Sequence, residues 1–233
     1  MRLPNAQERA FIEKCAPENT AEFIEKCRVY GDYLYETNKT FNLTRIPEND
    51  FWVKHVCDSL SLALFYPFPK TPRHLKMCDV GCGAGLPSII LAAAFPSLFV
   101  TAIDSTGKKA AFVARAAEAA GLPNLRAFQA RANELCHKSD FRHAFQLVTA
   151  RAVGTAEFLL RESSGLLSAN GMLAVYRTPS QAEDEKKWFS NLKKAPVHEF
   201  SKSFFLPPAA ENSAGTENDP AGERLFLFIR GLS

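Results

Sequence analysis

The stretch "CDVGCGAGLP", residues 78–87, puts three glycines within five positions of one another, between the apolar run "KMCDVG" and the apolar run "PSIILAAAF". An apolar strand, a glycine-dense turn and an apolar helix form the unit in which backbone bends sharply and a ligand can approach it closely. The pattern repeats downstream. "LFVTAIDS" reads as a second strand ending in Asp104, "TGKKAAFVARAAEAAGL" as a helix closed by Gly121, and "LRAFQAR" and "FQLVTARAV" as two further strands. "GTAEFLLRESSGLL" follows as a helix, "GMLAVYR" as a strand and "QAEDEKKWFSNLKKA" as an amphipathic helix. Strands alternating with helices predict an α/β, Rossmann-like, mostly parallel sheet. "HEFSKSFFL" and "ERLFLFIRG" are two last strands with no helical pattern between them, so an antiparallel pairing is expected. The polar, small-residue-rich loop joining them, residues 207–222, is expected to be flexible.

The first part of the chain is of another kind. Phe11, Ile12 and Cys15, then Phe23, Cys27, Tyr30 and Leu34, recur at helical spacing, with Asn19 or Thr20 placed to cap the second helix. "DFWVKHVCDSLSLALFY" predicts a third helix with Phe51, His55, Asp58 and Ser59 roughly along one side. The proline-rich "PFPKTPRH" then marks a boundary, giving an N-terminal helical extension over 1–70 and an α/β domain over 71–233. With 46% hydrophobic residues and a net charge of +3, the composition is that of an ordinary globular chain and does not by itself announce a nucleic-acid binder. No signal-peptide pattern opens the sequence, and the most apolar stretch, "SIILAAAFPSLFV", is short and broken by Pro96, so a cytoplasmic protein without a membrane span is expected. The six cysteines are irregularly spaced and read as free thiols; Cys78 and Cys82 lack the second ligand pair a metal needs, so no metal site is expected.

The glycine loop excludes some ligands. A P-loop requires a lysine after its last glycine, and none follows Gly85. A dinucleotide fingerprint requires Gly-x-Gly-x-x-Gly; Gly81 and Gly83 fit, but Leu86 holds the third place and Gly85 falls one residue early. A nucleoside ligand bearing an amino-acid part instead of a pyrophosphate suits this loop better. Asp104, at the carboxyl end of the next strand, is placed to accept hydrogen bonds from ribose hydroxyls, or to cap the following helix. Together the loop and Asp104 look like a class I S-adenosylmethionine-dependent methyltransferase.

The flanking segments narrow this. "FNLTRI", "HVCDSL", "DVGCGAGLPSIILA", "AIDSTGKKAAFV", "ARANEL" and "TARAV" occur in that order, and the chain from about residue 38 to residue 177 resembles the bacterial ribosomal RNA small-subunit methyltransferase G family, also called glucose-inhibited division protein B. The resemblance implies a Rossmann-like methyltransferase domain over 71–233, S-adenosyl-L-methionine as cofactor, and methylation of N7 of one guanine of 16S rRNA, the position conventionally numbered 527. It places cofactor contacts on Gly81 and Leu86, on Ala132 and Asn133 beside the adenine, and on Arg151; Gly83 and Asp104 belong to the wider class pattern. Three positions depart from the family: Asn133 stands where an acid is usual, Lys109 where arginine is usual, and "VYRTP", with Arg177, where a Lys-Gly pair is common.

Guanine N7 carries a free lone pair and attacks a methyl group without first losing a proton, so catalysis rests on orientation. The candidate catalytic and substrate-facing residues are His55, Asp58 and Arg151, with Arg177 beside them; Arg151 is expected to be an unpaired cation at the site mouth, and Asp58 to hold either His55 or Arg151. Arg45, Lys54, Lys108, Lys109, Arg115, Arg126 and Arg131 are candidates for a basic rim on rRNA phosphates. The expected partner is 16S rRNA within the 30S subunit or its precursor, bound by a monomer. A methyltransferase for another substrate, an NAD(P)-dependent oxidoreductase, and a non-catalytic RNA-binding module remain the competing readings.

Overall fold

The structure, a computed structural model, describes residues 1–68, 75–209 and 222–230. Most of the expected linker and most of the 207–222 loop lie outside the described residues. Helix α1 (Ala6–Lys14) opens with a reciprocal capping box between Asn5 and Glu8. Helix α2 (Thr20–Asn38) is capped by Asn19, whose side chain accepts the Glu22 N–H. The expected third helix is less regular. A 3₁₀ turn (Glu48–Asp50) leads into a π-helical stretch (Phe51–Cys57), then one α-turn, α3 (Asp58–Leu60), and a second 3₁₀ turn (Ser61–Leu64). Within it the Asp58 N–H reaches back to Val53 as well as His55.

The sheet is built from β1 (Leu75–Val80), β2 (Leu98–Asp104), β3 (Leu125–Gln129), β4 (Phe145–Ala150) and β5 (Leu167–Arg177), all parallel. Strands β6 (Val197–Phe200), β7 (Phe204–Phe205) and β8 (Glu223–Arg230) complete it, and the order is β3-β2-β1-β4-β5-β8-β6. β8 runs antiparallel to β5 and to β6, and β7 pairs antiparallel with its first residues. The strand order reverses between β1 and β4, the point where open α/β sheets bind ligands at their carboxyl ends.

Helices α4 (Ser88–Ala94) and α5 (Gly107–Ala119) pack on one face of the sheet together with the N-terminal helices. Ile12, Phe23, Tyr30 and Phe51 share a single apolar cluster with Ile90 and Phe112, so the helical extension and this face of the sheet bury one another. Helices α6 (Ala132–Leu135), α7 (Ala156–Ser163) and α8 (Pro179–Ser190) are on the other face, where Leu135, Leu159 and Phe189 cluster with Val148 and Val175. No helix among the described residues is long and apolar enough to cross a membrane.

Candidate active site

The glycine loop is fixed largely by its own backbone. The N–H groups of Gly81 and Cys82 both donate to the Ile103 carbonyl, at 2.8 and 2.9 Å, tying the turn after β1 to the end of β2. Gly81 sits at φ +72°, and a Cβ there would lie 2.6 Å from a methyl of Val153. Gly83, at φ +55°, donates its N–H to one Asp104 oxygen at 3.0 Å. The other Asp104 oxygen accepts the Thr106 N–H at 2.8 Å. Thr106 itself is the N-cap residue of α5, so Asp104 braces the turn ahead of the helix and does not cap it. From the helical extension, the buried Tyr30 hydroxyl donates to the Ala84 carbonyl at 2.7 Å. Beneath the loop, the fully buried Asp79 accepts from the hydroxyls of Ser88 and Thr149; burial raises its carboxyl to about 6.

These groups form one side of a cavity of about 450 Å³, reached from the carboxyl ends of the strands. Gly81, Cys82, Gly83, Leu86, Asp104 and Lys109 line that side. Leu43, Thr44, His55 and Arg151, with Ala152 and Val153 of the loop after β4, line the other. His55 is buried, with its Nε2 3.0 Å from the Thr44 hydroxyl, which also accepts the Ile46 N–H. Its Nδ1 has no hydrogen-bond partner among the described residues. Burial, helped by the Arg151 charge, lowers the imidazole to about 3, so it is neutral at physiological pH. The buried Cys82 thiol is pushed upward, chiefly by desolvation, which keeps it from acting as a thiolate.

Arg151 is not the unpaired cation expected. Its Nη2 donates to the Lys54 carbonyl at 2.6 Å and lies 2.8 Å from Asp58, and its Nη1 is 3.3 Å from the Ser59 hydroxyl. Asp58 also holds Arg224 of β8 at 3.1 Å. Of the two partners considered for Asp58, the carboxylate takes Arg151. Asp58 does not line the cavity; it lies behind Arg151, between that arginine and Arg224.

Gly81, Gly83, Leu86, Asp104, His55 and Arg151 thus meet around one cavity, while Ala132 and Asn133 do not line it. They begin α6, at the carboxyl end of β3 next to Asp104, and Asn133 is exposed. Arg177 is buried and pairs with Glu185 of α8 at 2.6 Å. It also donates to the Gly154 carbonyl, and Glu185 accepts the Ala156 N–H at 2.8 Å, so the pair braces the loop after β4 from behind. Of the expected rim, Lys109 lines the cavity, Lys54 pairs with Asp50 at 2.9 Å, and Arg45, Lys108, Arg115, Arg126 and Arg131 are exposed. Among the described residues no cluster of His, Cys, Asp and Glu could hold a metal ion. Tyr30, Thr44, Ser59 and Arg224 have no assigned role from sequence, although Thr44 lies inside "FNLTRI" and Ser59 inside "HVCDSL".

A glycine turn bonded to an acid-ended β2 at the switch point of a 3-2-1-4-5 sheet defines a class I methyltransferase fold. Solved structures agree on the fold. An S-adenosylmethionine-dependent O-methyltransferase from Thermotoga maritima superposes with TM-score 0.54 at 17% identity, covering 85% of this chain and 71% of that one. A precorrin-6y C5,15-methyltransferase from Geobacter metallireducens gives TM-score 0.51 at 14% identity, covering 82% and 92%. The family model for "rRNA small subunit methyltransferase G" (GidB) matches residues 23–206. Proteins named ribosomal RNA small subunit methyltransferase G from Geobacillus sp. (strain WCH70) and Ligilactobacillus salivarius are 32% and 37% identical, over 78% and 72% of this chain and 76% and 70% of theirs. The chain belongs to the rRNA small subunit methyltransferase G family.

S-adenosylmethionine is the cofactor this family and fold imply, and the cavity fits it. The backbone at Gly81 and Gly83 leaves room that a side chain would fill or strain. Each Asp104 oxygen takes one backbone N–H and keeps a lone pair for a ribose hydroxyl, whereas a pyrophosphate against that carboxylate would be repelled.

Proposed function

We propose that the protein transfers the methyl group of S-adenosylmethionine to N7 of guanine-527 of 16S rRNA, acting on the 30S subunit or its precursor in the cytoplasm. The observation that carries this reading is the cavity shared between the braced glycine loop and the His55–Arg151 wall, in a chain of this family. When bound, the cofactor supplies an electrophilic methyl on a sulfonium. The protein's task is then to hold the base in line with that methyl and keep water away.

The lining groups suit a nucleophile that brings its own lone pair. A general base works best with a pKa near the operating pH, and His55, lowered to about 3, would hold an abstracted proton poorly at neutrality. Neutral, with Nε2 on the Thr44 hydroxyl and Nδ1 buried, it holds the shape of the cavity wall. Arg151, held by Lys54, Ser59 and Asp58, presents a fixed positive face to the same cavity. On this reading Gly81, Gly83, Leu86 and Asp104 hold the cofactor, His55 and Arg151 face the guanine, and Asp58 positions Arg151. Ala132 and Asn133, beyond the cavity lining at the carboxyl end of β3, are assigned to the adenine. We assign the helical extension, 1–70, to covering the cofactor, since Tyr30 bonds the glycine loop directly.

The test is transfer of labelled methyl to 30S subunits and to naked 16S rRNA, both unmodified, with the acceptor mapped to the nucleotide. Label confined to N7 of guanine-527 is expected. Label on another atom or RNA, or none in the presence of calorimetrically bound S-adenosylmethionine, overturns the substrate. Tight NAD binding without S-adenosylmethionine binding overturns the cofactor.

A further inference from the structure

A second cavity, of about 550 Å³, lies toward the amino ends of the strands, away from the cofactor side. Its origin is topological. Among the described residues the crossover from β3 to β4 contains only the four-residue α6 and a turned segment at 138–144, which leave the amino half of β2 and the outer edge of β3 partly uncovered on that face. The sheet there carries aromatic side chains where a covered face would carry aliphatic ones. Phe99 on β2 is 46% exposed and Phe128 on β3 is 39% exposed; of the exposed phenylalanines among the described residues, these two share one groove. Phe128 meets Phe141 edge-on at 5.9 Å, and Phe141 leans on Phe145, so the floor of the groove is a short run of rings.

Cations alternate with these rings. Lys76 is the register partner of Phe99 across the β1–β2 ladder, and Arg126 lies two residues before Phe128 on the same face of β3. Lys138 and Arg142, both exposed, sit on the same turned segment as Phe141. The lining itself holds two cations, Lys76 and Arg126, and one acid, Asp140. Exposed rings interleaved with cations are the parts from which single-stranded nucleic acid is bound, the bases stacking and the phosphates pairing with charge. Phe99 and Asp104 are five residues apart on one strand, roughly 17 Å, about half a helical turn of nucleic acid, so one RNA passing over the β3 edge spans both cavities.

We propose that this groove is a second RNA-docking surface. On it, unpaired bases of the rRNA substrate stack on Phe99 and Phe128, and flanking phosphates lie along Lys76, Arg126, Lys138 and Arg142. The proposal rests on the rRNA reading of the cofactor cavity and extends it by naming where the rest of the substrate is held.

The test uses the full chain. Phe99→Ala/Phe128→Ala and Arg126→Glu, with Arg126→Lys as the conservative control, are compared with wild type. Three readouts are taken: affinity for a fluorescent single-stranded rRNA fragment across a salt series, KM and kcat for methyl transfer to unmodified naked 16S rRNA and to unmodified 30S subunits, and S-adenosylmethionine affinity. The aromatic pair is expected to weaken RNA binding and raise KM by about ten-fold or more, with kcat and cofactor affinity unchanged. Arg126→Glu should reduce the salt slope by about 1, and Arg126→Lys should restore it. RNA affinity and KM at wild-type values in the folded, cofactor-binding variants overturn the proposal. So does a loss seen only on assembled 30S particles and not on naked RNA, which would mark the groove as a protein contact. RNA binding is read without methyl transfer, so a wild-type protein that methylates nothing sinks the assigned reaction while the binding comparison still decides the groove.

Discussion

The two sides of the cofactor cavity are made in different ways. The glycine-loop side is local: Gly81, Gly83 and Asp104 lie within 24 residues and are joined mostly by backbone donors. The facing side is assembled from afar. Arg151 reaches the Lys54 carbonyl across 97 residues of sequence, and Asp58 reaches Arg224 across 166. A wall of backbone tolerates side-chain change but not a change of backbone shape. A wall of paired side chains behaves in the opposite way.

Substitutions separate the two. The largest loss is expected on the local side. Gly81→Ala places a Cβ 2.6 Å from Val153 on a backbone at φ +72°, so either the glycine loop or the loop after β4 must move. A displacement of that order costs about 100-fold in rate or more, measured as kcat/KM for methyl transfer, with the melting temperature less affected. On the assembled side, Asp58→Ala removes the buried carboxylate that Arg151 and Arg224 share. Here stability should fall by about 3–5 kcal/mol in urea unfolding. Asp58→Asn keeps one acceptor oxygen but sets an NH2 donor against the other guanidinium, so it should recover only part of that loss. If Asp58→Ala unfolds at wild-type urea, the facing wall is not held together as described.

Protonation draws the same contrast with opposite signs. Asp79, under the glycine loop, is raised from 3.8 to about 6, so the folded protein binds a proton more readily than the unfolded chain between those values. Its contribution grows as pH falls through 6 and is lost as pH rises. His55, in the facing wall, is lowered from 6.5 to about 3; its contribution is full above 6.5 and is lost as pH falls. Between pH 4 and 6 the two oppose each other, each at about 1.4 kcal/mol per pH unit. Relative to wild type, Asp79→Asn should make unfolding free energy fall more steeply on acidification over that range, and His55→Gln should make it fall less steeply or rise. Urea titrations at pH 4, 5, 6 and 7 check both signs, and equal slopes in all three proteins would show that neither group is perturbed as stated.

The contrast also explains what could be read from the chain. The sheet, its parallel order and the place of the glycine loop followed from runs of apolar residues, glycines and one acid, because those elements are specified within a few residues of themselves. The pairing of β8 with both β5 and β6 was anticipated only as an antiparallel end, since period-two patterning identifies a strand but not its neighbours. The π-helical stretch at Phe51–Cys57 read as an ordinary helix: six of its seven residues are buried, which erases the one-sided pattern that helical spacing depends on. Arg151 was picked out by its place after β4, yet its pairing was missed. No spacing rule connects a carboxylate on a short helix to an arginine across the sheet. Arg177 shows the same limit: its partner Glu185 lies in the next helix and looks in sequence like one more solvated charge of "QAEDEKK".

The smallest expected effect lies where the two walls meet. Tyr30 belongs to the helical extension, but its hydroxyl bonds a carbonyl of the glycine loop. Tyr30→Phe preserves the ring and its packing against Phe51 while leaving the buried Ala84 carbonyl without that donor, a loss of about 1–3 kcal/mol. If the extension only shields the cofactor, the loss appears in urea unfolding alone and cofactor affinity is unchanged. If the extension also sets the shape of the loop, S-adenosylmethionine affinity falls with it, by a few-fold, and bound cofactor recovers part of the lost stability, because a ligand that binds only the folded state stabilises it in proportion to its occupancy. The second outcome is expected, since Ala84 lies between Gly83, bonded to Asp104, and Gly85, whose N–H returns to Cys82, so one released carbonyl frees a loop whose remaining bonds all lie close to the cavity.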